Sequence, residues 1–152
     1  MSLYSVIDEF RDITNSDEKA LEIEVLKAPH QSFRLPKEKQ AIYIFEKNGI
    51  FFKIGKVRGK SNARFRYQHY KPNSARSSLA KSILNNRGNK SLREVFNSEI
   101  LDSLSDENIE DFIKQNMNRI NIYIDISKGE FYLNLLEALL HYRLNPIFEG
   151  KI

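Results

Sequence analysis

Ala41-Ile42-Tyr43-Ile44-Phe45-Glu46-Lys47-Asn48-Gly49-Ile50-Phe51-Phe52-Lys53-Ile54-Gly55 is the stretch from which the rest of the chain can be read. Two β-rich runs, Ile42-Tyr43-Ile44-Phe45 and Phe51-Phe52-Lys53-Ile54, flank Lys47-Asn48-Gly49 and spell a hairpin. A three-residue loop with Gly49 left-handed sets Tyr43 opposite Lys53. In that register Ile42, Ile44, Ile50, Phe52 and Ile54 share one face, and Tyr43, Phe45, Phe51 and Lys53 share the other. A two-residue Asn48-Gly49 turn shifts the register by one and parts Tyr43 from Lys53. The three-residue loop is preferred because it leaves one face wholly apolar for a core.

Outward from the hairpin, Arg58-Gly59-Lys60 makes a turn, and Ser61 or Asn62 can cap a helix carrying Arg64, Arg66 and His69. Lys71-Pro72-Asn73-Ser74 breaks it, and Ser74 is the expected cap of a helix over 75–85 with Leu79, Ala80 and Ile83 buried. Residues 85–89 read as a loop, and 91–96 and 105–115 as helices. Arg119-Ile120-Asn121-Ile122-Tyr123-Ile124-Asp125-Ile126 alternates strictly and reads as a third strand. Upstream, Leu3, Val6, Ile7 and Phe10 mark a helix over 3–13. Residues 21–26 read as an edge strand or as more helix, and 27–40, with Pro29 and Pro36, as a loop. The expected fold is α/β (α+β): a small, mainly antiparallel three-stranded sheet, the hairpin plus a third strand, flanked by helices. Residues 1–40 read as an N-terminal helical and loop extension, and 41–152 as one compact domain.

The segment 130–144 is the longest expected helix. Phe131, Leu133, Leu135, Leu136, Leu139, Leu140, Tyr142 and Leu144 surround its axis, which predicts a largely buried helix with Glu137 at its middle. A carboxylate there must be paired, hydrogen-bonded or bound to a metal. The plainer reading puts Glu137 at the solvent edge with a neighbouring cation. Plainer readings hold for the others too: Tyr43 as a strand tyrosine, Lys53 as an edge-strand guard against aggregation, Arg64 and Arg66 as helix-surface residues, and His69 and His141 as structural.

Charge is unevenly distributed. The 152-residue chain has a formal net charge of +4, but from Lys53 to Arg93 there is no Asp or Glu, while acids gather at 8–24 and 94–111. This argues for one electropositive face, with Lys56, Arg58, Lys60, Arg66, Lys71, Arg76 and Lys81 as nucleic-acid contacts; the plainer reading is a solvated basic surface. The absence of cysteine excludes disulfides, thiolate zinc sites and cysteine nucleophiles. No apolar run reaches the ~20 residues of a membrane span, and no signal peptide is visible, so a cytoplasmic location is expected.

Ala41-Ile42-Tyr43 followed by Lys53-Ile54-Gly55 resembles the paired motifs of the GIY-YIG nuclease family, in the restriction-enzyme-like form with lysine at the second motif. The family's later elements follow in order: an arginine on the next helix (Arg64, with Arg66 as understudy), a histidine or tyrosine about a turn on (His69), and a late glutamate (Glu137) followed by a proline (Pro146). Glu149 stands where the family's terminal asparagine would be sought. The resemblance implies a metal-dependent endonuclease acting on DNA with Mg2+ or Mn2+, leaving 5′-phosphate and 3′-hydroxyl ends. It implies Tyr43 as general base, Lys53 as its tuning neighbour, Arg64 as phosphate clamp and Glu137 as metal ligand, with His69 assisting proton transfer or holding a phosphate. A non-catalytic nucleic-acid-binding module on the same fold is the alternative. Specificity is left to residues 1–40, to the loops at 71–76 and 85–91, or to a homo-oligomer or separate partner.

Overall fold

The structure, a computed structural model, describes residues 1–75 and 78–148. Four strands, β1 (Glu22–Leu26), β2 (Lys39–Lys47), β3 (Ile50–Val57) and β4 (Asn118–Asp125), form one antiparallel sheet in the order β1-β4-β2-β3. The fold class is as expected, with one strand more. β1 takes the edge beside β4, so residues 1–40 contribute to the sheet. They also supply helix α1 (Leu3–Thr14), which packs on α7 (Glu130–Leu144). Phe10 meets Tyr132 edge-on at 4.8 Å. Arg143 Nη2 and Nε donate to the Glu9 carboxylate at 2.8 and 3.1 Å.

Helices cover both faces. α1 and α7 enclose one core with Ile42, Ile44, Ile54, Ile120, Ile122 and Ile124. On the other side five short helices, α2 (Asn62–Arg66), α3 (Leu79–Asn85), α4 (Lys90–Val95), α5 (Ser98–Asp102) and α6 (Ile109–Asn116), enclose a second core with Tyr43, Phe45, Phe52 and Tyr123. The strict alternation of β2 and β4 serves this arrangement, since each strand feeds both cores.

The hairpin departs from the expected register in an instructive way. Lys47 pairs with Ile50, so the turn is the two-residue Asn48-Gly49, with both residues left-handed (φ 52° and 79°). Such primed turns match the twist of the flanking strands, which is why Asn-Gly prevails over the three-residue loop. Beyond the turn, Glu46 pairs with Phe51 but Phe45 pairs with Lys53. Phe52 is the extra residue of a bulge. The two shifts cancel in parity. Tyr43 and Lys53 still share a face, although Tyr43 sits opposite Gly55. Residues between turn and bulge change sides: Ile50 and Phe52 join Tyr43's core, and Phe51 packs toward α7.

Three further expectations need correction. α7 buries one stripe, Leu133, Leu136, Leu140 and Leu144, while Phe131, Leu135 and Tyr142 are exposed. A single sheet face offers a helix one side to bury. The helix expected over 75–85 begins at Leu79 and is capped by Ser78, whose Oγ accepts from Lys81 N. Ser74 Oγ instead donates to Gln68 O and Lys71 O. The segment carrying Arg64 and His69 is a short α-turn, α2, followed by a 3-10 turn over Gln68–Tyr70. Ser61 makes no side-chain cap bond there, and Asn62 Oδ1 accepts from Leu35 N at 3.0 Å. After α7 the chain returns to β3, where Ile147 N and Phe148 N donate to Phe51 O and Phe52 O. The bulged edge of the sheet is thereby covered. Glu149 lies outside the described residues.

Candidate active site

An edge strand is the place where side chains from both faces of a sheet can meet, and β3 is such an edge. Lys53 and Gly55 belong to the face of β3 that carries Tyr43, and Ile54 and Lys56 to the face under α7. Around this edge opens a cleft of about 270 Å³ lined by Tyr43, Lys53, Ile54, Gly55, Lys56, Arg64 and Glu137. Four of the five residues expected to do chemistry therefore line one hollow, brought there by β2, β3, α2 and α7.

Gly55 makes room for the tyrosine. A Cβ at this position would overlap the Tyr43 phenol oxygen and lie 2.8 Å from its Cε2. The glycine of Lys53-Ile54-Gly55 is thus a close-approach residue for the tyrosine of Ala41-Ile42-Tyr43.

The fifth residue, His69, is buried beneath Tyr43. Its Nε2 lies 2.6 Å from Tyr43 Oη, and Leu79 N donates to its Nδ1 at 3.3 Å. An Nδ1 that accepts leaves the proton on Nε2, so His69 donates to the phenol oxygen. Burial first, then the charges of Lys53, Arg64 and Arg119, holds His69 well below its ordinary pKa of 6.5, so the ring is neutral. Both nitrogens of His69 are engaged and 1% of its surface is exposed; Tyr43, at 0%, is as deeply buried and meets the cleft as part of its wall. Of its two expected roles, this geometry favours assisting proton transfer over holding a phosphate.

Arg119 was not anticipated. It is fully buried at the base of the site, with its guanidinium carbon 4.5 Å from the centroid of Phe65, 5.3 Å from that of Phe45, and 5.8 Å from those of Tyr43 and Tyr70. Its fork donates to Phe65 O (2.6 Å), Asn121 Oδ1 (2.9 Å) and Tyr70 Oη (3.0 Å). The bond to Phe65 O fixes the residue next to Arg64. The network continues through Tyr70 Oη to His30 Nε2 at 2.8 Å, and His30 Nδ1 donates to Met117 O at 2.7 Å. A sequence signal existed: Arg119, Asn121 and Tyr123 alternate with isoleucines in a strand that proved central, where neither face is solvent.

Glu137 is a quarter exposed, and Lys56 Nζ lies 3.3 Å from its Oε1. The same ammonium donates to Asn134 Oδ1 at 2.7 Å. The plainer reading of Glu137, an edge carboxylate with a neighbouring cation, describes its surroundings. Among the described residues no cluster of three or more His, Asp or Glu side chains converges on a metal cage. Mg2+ does not need one, because it keeps waters and binds through one or two carboxylates plus substrate phosphates. Two hard oxygens already facing a cation are a donor set that fits it. His141 Nε2 donates to Ile54 O at 2.9 Å and ties α7 to the cleft wall.

The expected basic contacts divide. Arg58 pairs with Glu130 at 3.1 Å. Lys60 lines a neighbouring hollow with Arg58, Gly59 and Ile126, and Lys81 is exposed. Arg66 turns away from the cleft, stacks 4.9 Å from the Tyr67 centroid, and lines a separate hollow with Lys71 and Lys114. That separation favours Arg64 over Arg66 as the arginine of the site. Arg76 lies outside the described residues. A larger hollow of about 600 Å³ contains Asp106, Glu107, Glu110 and Asp111; four carboxylates repel phosphate, so the smaller cleft is the better candidate.

No family model, curated protein or solved structure matches the chain. The geometry and the sequence resemblance carry the functional reading.

Proposed function

We propose that this chain is a metal-dependent endonuclease of GIY-YIG type, hydrolysing DNA phosphodiester bonds to leave 5′-phosphate and 3′-hydroxyl ends. The observation that carries the reading is convergence: Tyr43, Lys53, Arg64 and Glu137 come from four separate elements and line one cleft. Phosphodiester hydrolysis requires an activated water, stabilisation of charge growing on the phosphorus-bound oxygens, and relief of charge at the leaving oxygen.

Tyr43 supplies the base. A phenol, with an ordinary pKa of ~10, serves poorly in its neutral form. Here the His69 N–H donates to its oxygen, the Arg119 charge lies under its ring, and Lys53 and Arg64 share its cleft. The donor and the cations stabilise negative charge on the phenol oxygen and so work against burial, which for a fully buried tyrosine favours the protonated form. Arg64 offers a planar fork to the phosphate oxygens as their charge increases. Glu137 would hold the metal, which when bound would supply charge relief at the leaving oxygen and orient the phosphate. The hollow is smaller than the roughly 300–1,000 Å³ of sites that enclose a small molecule, and it opens at a sheet edge, which suits one phosphodiester of an extended strand.

The test is a digest of end-labelled single-stranded, duplex and branched DNA with Mg2+ or Mn2+. Cleavage of any of these that leaves 5′-phosphate ends is expected. A non-catalytic binding module would retain DNA in chelator and leave every substrate intact in both metals, and that result would overturn the proposal.

A further inference from the structure

The Lys56 ammonium contacts the Glu137 carboxylate and the Asn134 amide oxygen at once. Asn134 and Glu137 are three residues apart on α7, so they project from one helix face. Lys56 reaches them from the face of β3 under that helix. Two oxygens of different chemical type thus converge on one positive charge beside the cleft. Neither Lys56, with 37% of its side chain exposed, nor Glu137, at 24%, is sealed from solvent. A lysine is a point charge on a flexible four-carbon stem and can leave such a position without disturbing the backbone.

Resting on the reading of Glu137 as a metal ligand, we propose that Asn134 and Glu137 form a two-oxygen seat for a divalent cation, with Lys56 as the competing cation that holds the seat until substrate binds. Entry of the ion expels the Lys56 ammonium. A phosphate of the bound nucleic acid is the partner that then receives it. Lys56 in this way couples metal binding to nucleic-acid binding: each ligand removes the partner that Lys56 would otherwise keep, so each tightens the other by the same factor. Asn134 becomes a second ligand where the sequence pointed to Glu137 alone. Without nucleic acid the wild-type protein binds the ion weakly, because every binding event must displace an ion pair.

Direct titration of Mn2+ into DNA-free protein, with free Mn2+ followed by its paramagnetic resonance, tests this without reference to cleavage. Lys56→Met is expected to bind Mn2+ about tenfold or more tightly than wild type, since a cation in direct contact with the ligand set is gone. Lys56→Gln gives the same direction should the methionine variant fold poorly. Adding Asn134→Ala to Lys56→Met should weaken binding several-fold, and adding Glu137→Gln should abolish it. Equal or weaker Mn2+ binding in both Lys56 variants overturns the proposal. So does a Lys56→Met/Asn134→Ala protein that binds as tightly as Lys56→Met. The nuclease reading fails separately: a Lys56 variant that gains the ion while wild type leaves all DNA intact keeps the seat and loses the nuclease.

Discussion

At the scale of single residues, the site depends on a space as much as on a group. Tyr43 occupies volume that any side chain at position 55 would claim. Gly55→Ala should displace the phenol from His69 and destabilise the fold by about 1–3 kcal/mol, the usual cost of overpacking a filled core. Cleavage should fall far more than stability explains, because the variant remains folded while its proposed base is misplaced. Urea unfolding and single-turnover cleavage on the same preparation separate the two effects. Wild-type cleavage by a folded Gly55→Ala protein would show that the close approach of residues 43 and 55 has no catalytic part.

At the scale of elements, β4 carries the least anticipated feature, a buried arginine with three acceptors and four aromatic rings around it. Arg119→Met leaves Phe65 O, Tyr70 Oη and Asn121 Oδ1 short of a donor and should destabilise by about 3 kcal/mol or more. Arg119→Lys keeps the charge but lacks the fork, so it should recover part of the stability and leave α2 less ordered, visible as faster amide exchange around Arg64. If Arg119→Met matches wild type in urea unfolding, the network is not structural. Much of this scale was legible in the sequence. The alternation of Ile120, Ile122 and Ile124 and the Leu3, Val6, Ile7, Phe10 spacing each report local physics, and each gave its element; Lys47-Asn48-Gly49 gave the hairpin but not its two-residue turn. What local patterns do not carry is the tertiary neighbour. The bulge at Phe52, the edge position of β1 and the exposed flank of α7 depend on which strand or helix lies alongside. That Tyr43 and Lys53 share a face was legible, although the route to it, a short turn plus a bulge, was not, and Gly55 rather than Lys53 lies opposite Tyr43. Lys56 gave no sign in the sequence that it would meet Glu137 rather than solvent.

At the scale of the whole molecule, two buried neutral histidines set the response to acid. Burial, the largest effect, pulls His30 down from 6.5 to about 4, and His69 is held well below 6.5. In the unfolded chain both take up protons near 6.5. The unfolded state therefore binds more protons than the native state as pH falls through this window, so stability should decline from about pH 6.5 toward about 4. His30's contribution to that decline ends below about 4. Urea midpoints measured from pH 7.5 to 4.5 check the sign, and midpoints that stay level or rise on acidification would contradict it. The expected electropositive face belongs to the same scale. Lys81→Ala, an exposed change, should weaken DNA binding about equally across sequences and lower the salt slope by about one if Lys81 meets a phosphate. Arg64→Ala should lose more rate than affinity, because a clamp on the scissile phosphate works mainly in the transition state. Equal losses for Arg64→Ala would move Arg64 to the general basic surface.

The central claim is that the cleft at the β3 edge is where a phosphodiester is cut, with Tyr43 as base. Its most direct test is single-turnover DNA cleavage in Mg2+ or Mn2+ by wild type and Tyr43→Phe, with both proteins saturated with DNA. Tyr43→Phe removes one hydroxyl and leaves the ring that fills the core. The expected result is cleavage by wild type and a loss of at least about a hundredfold in Tyr43→Phe, the scale of general-base catalysis, with DNA affinity nearly unchanged. Equal cleavage rates in the two proteins would contradict the account.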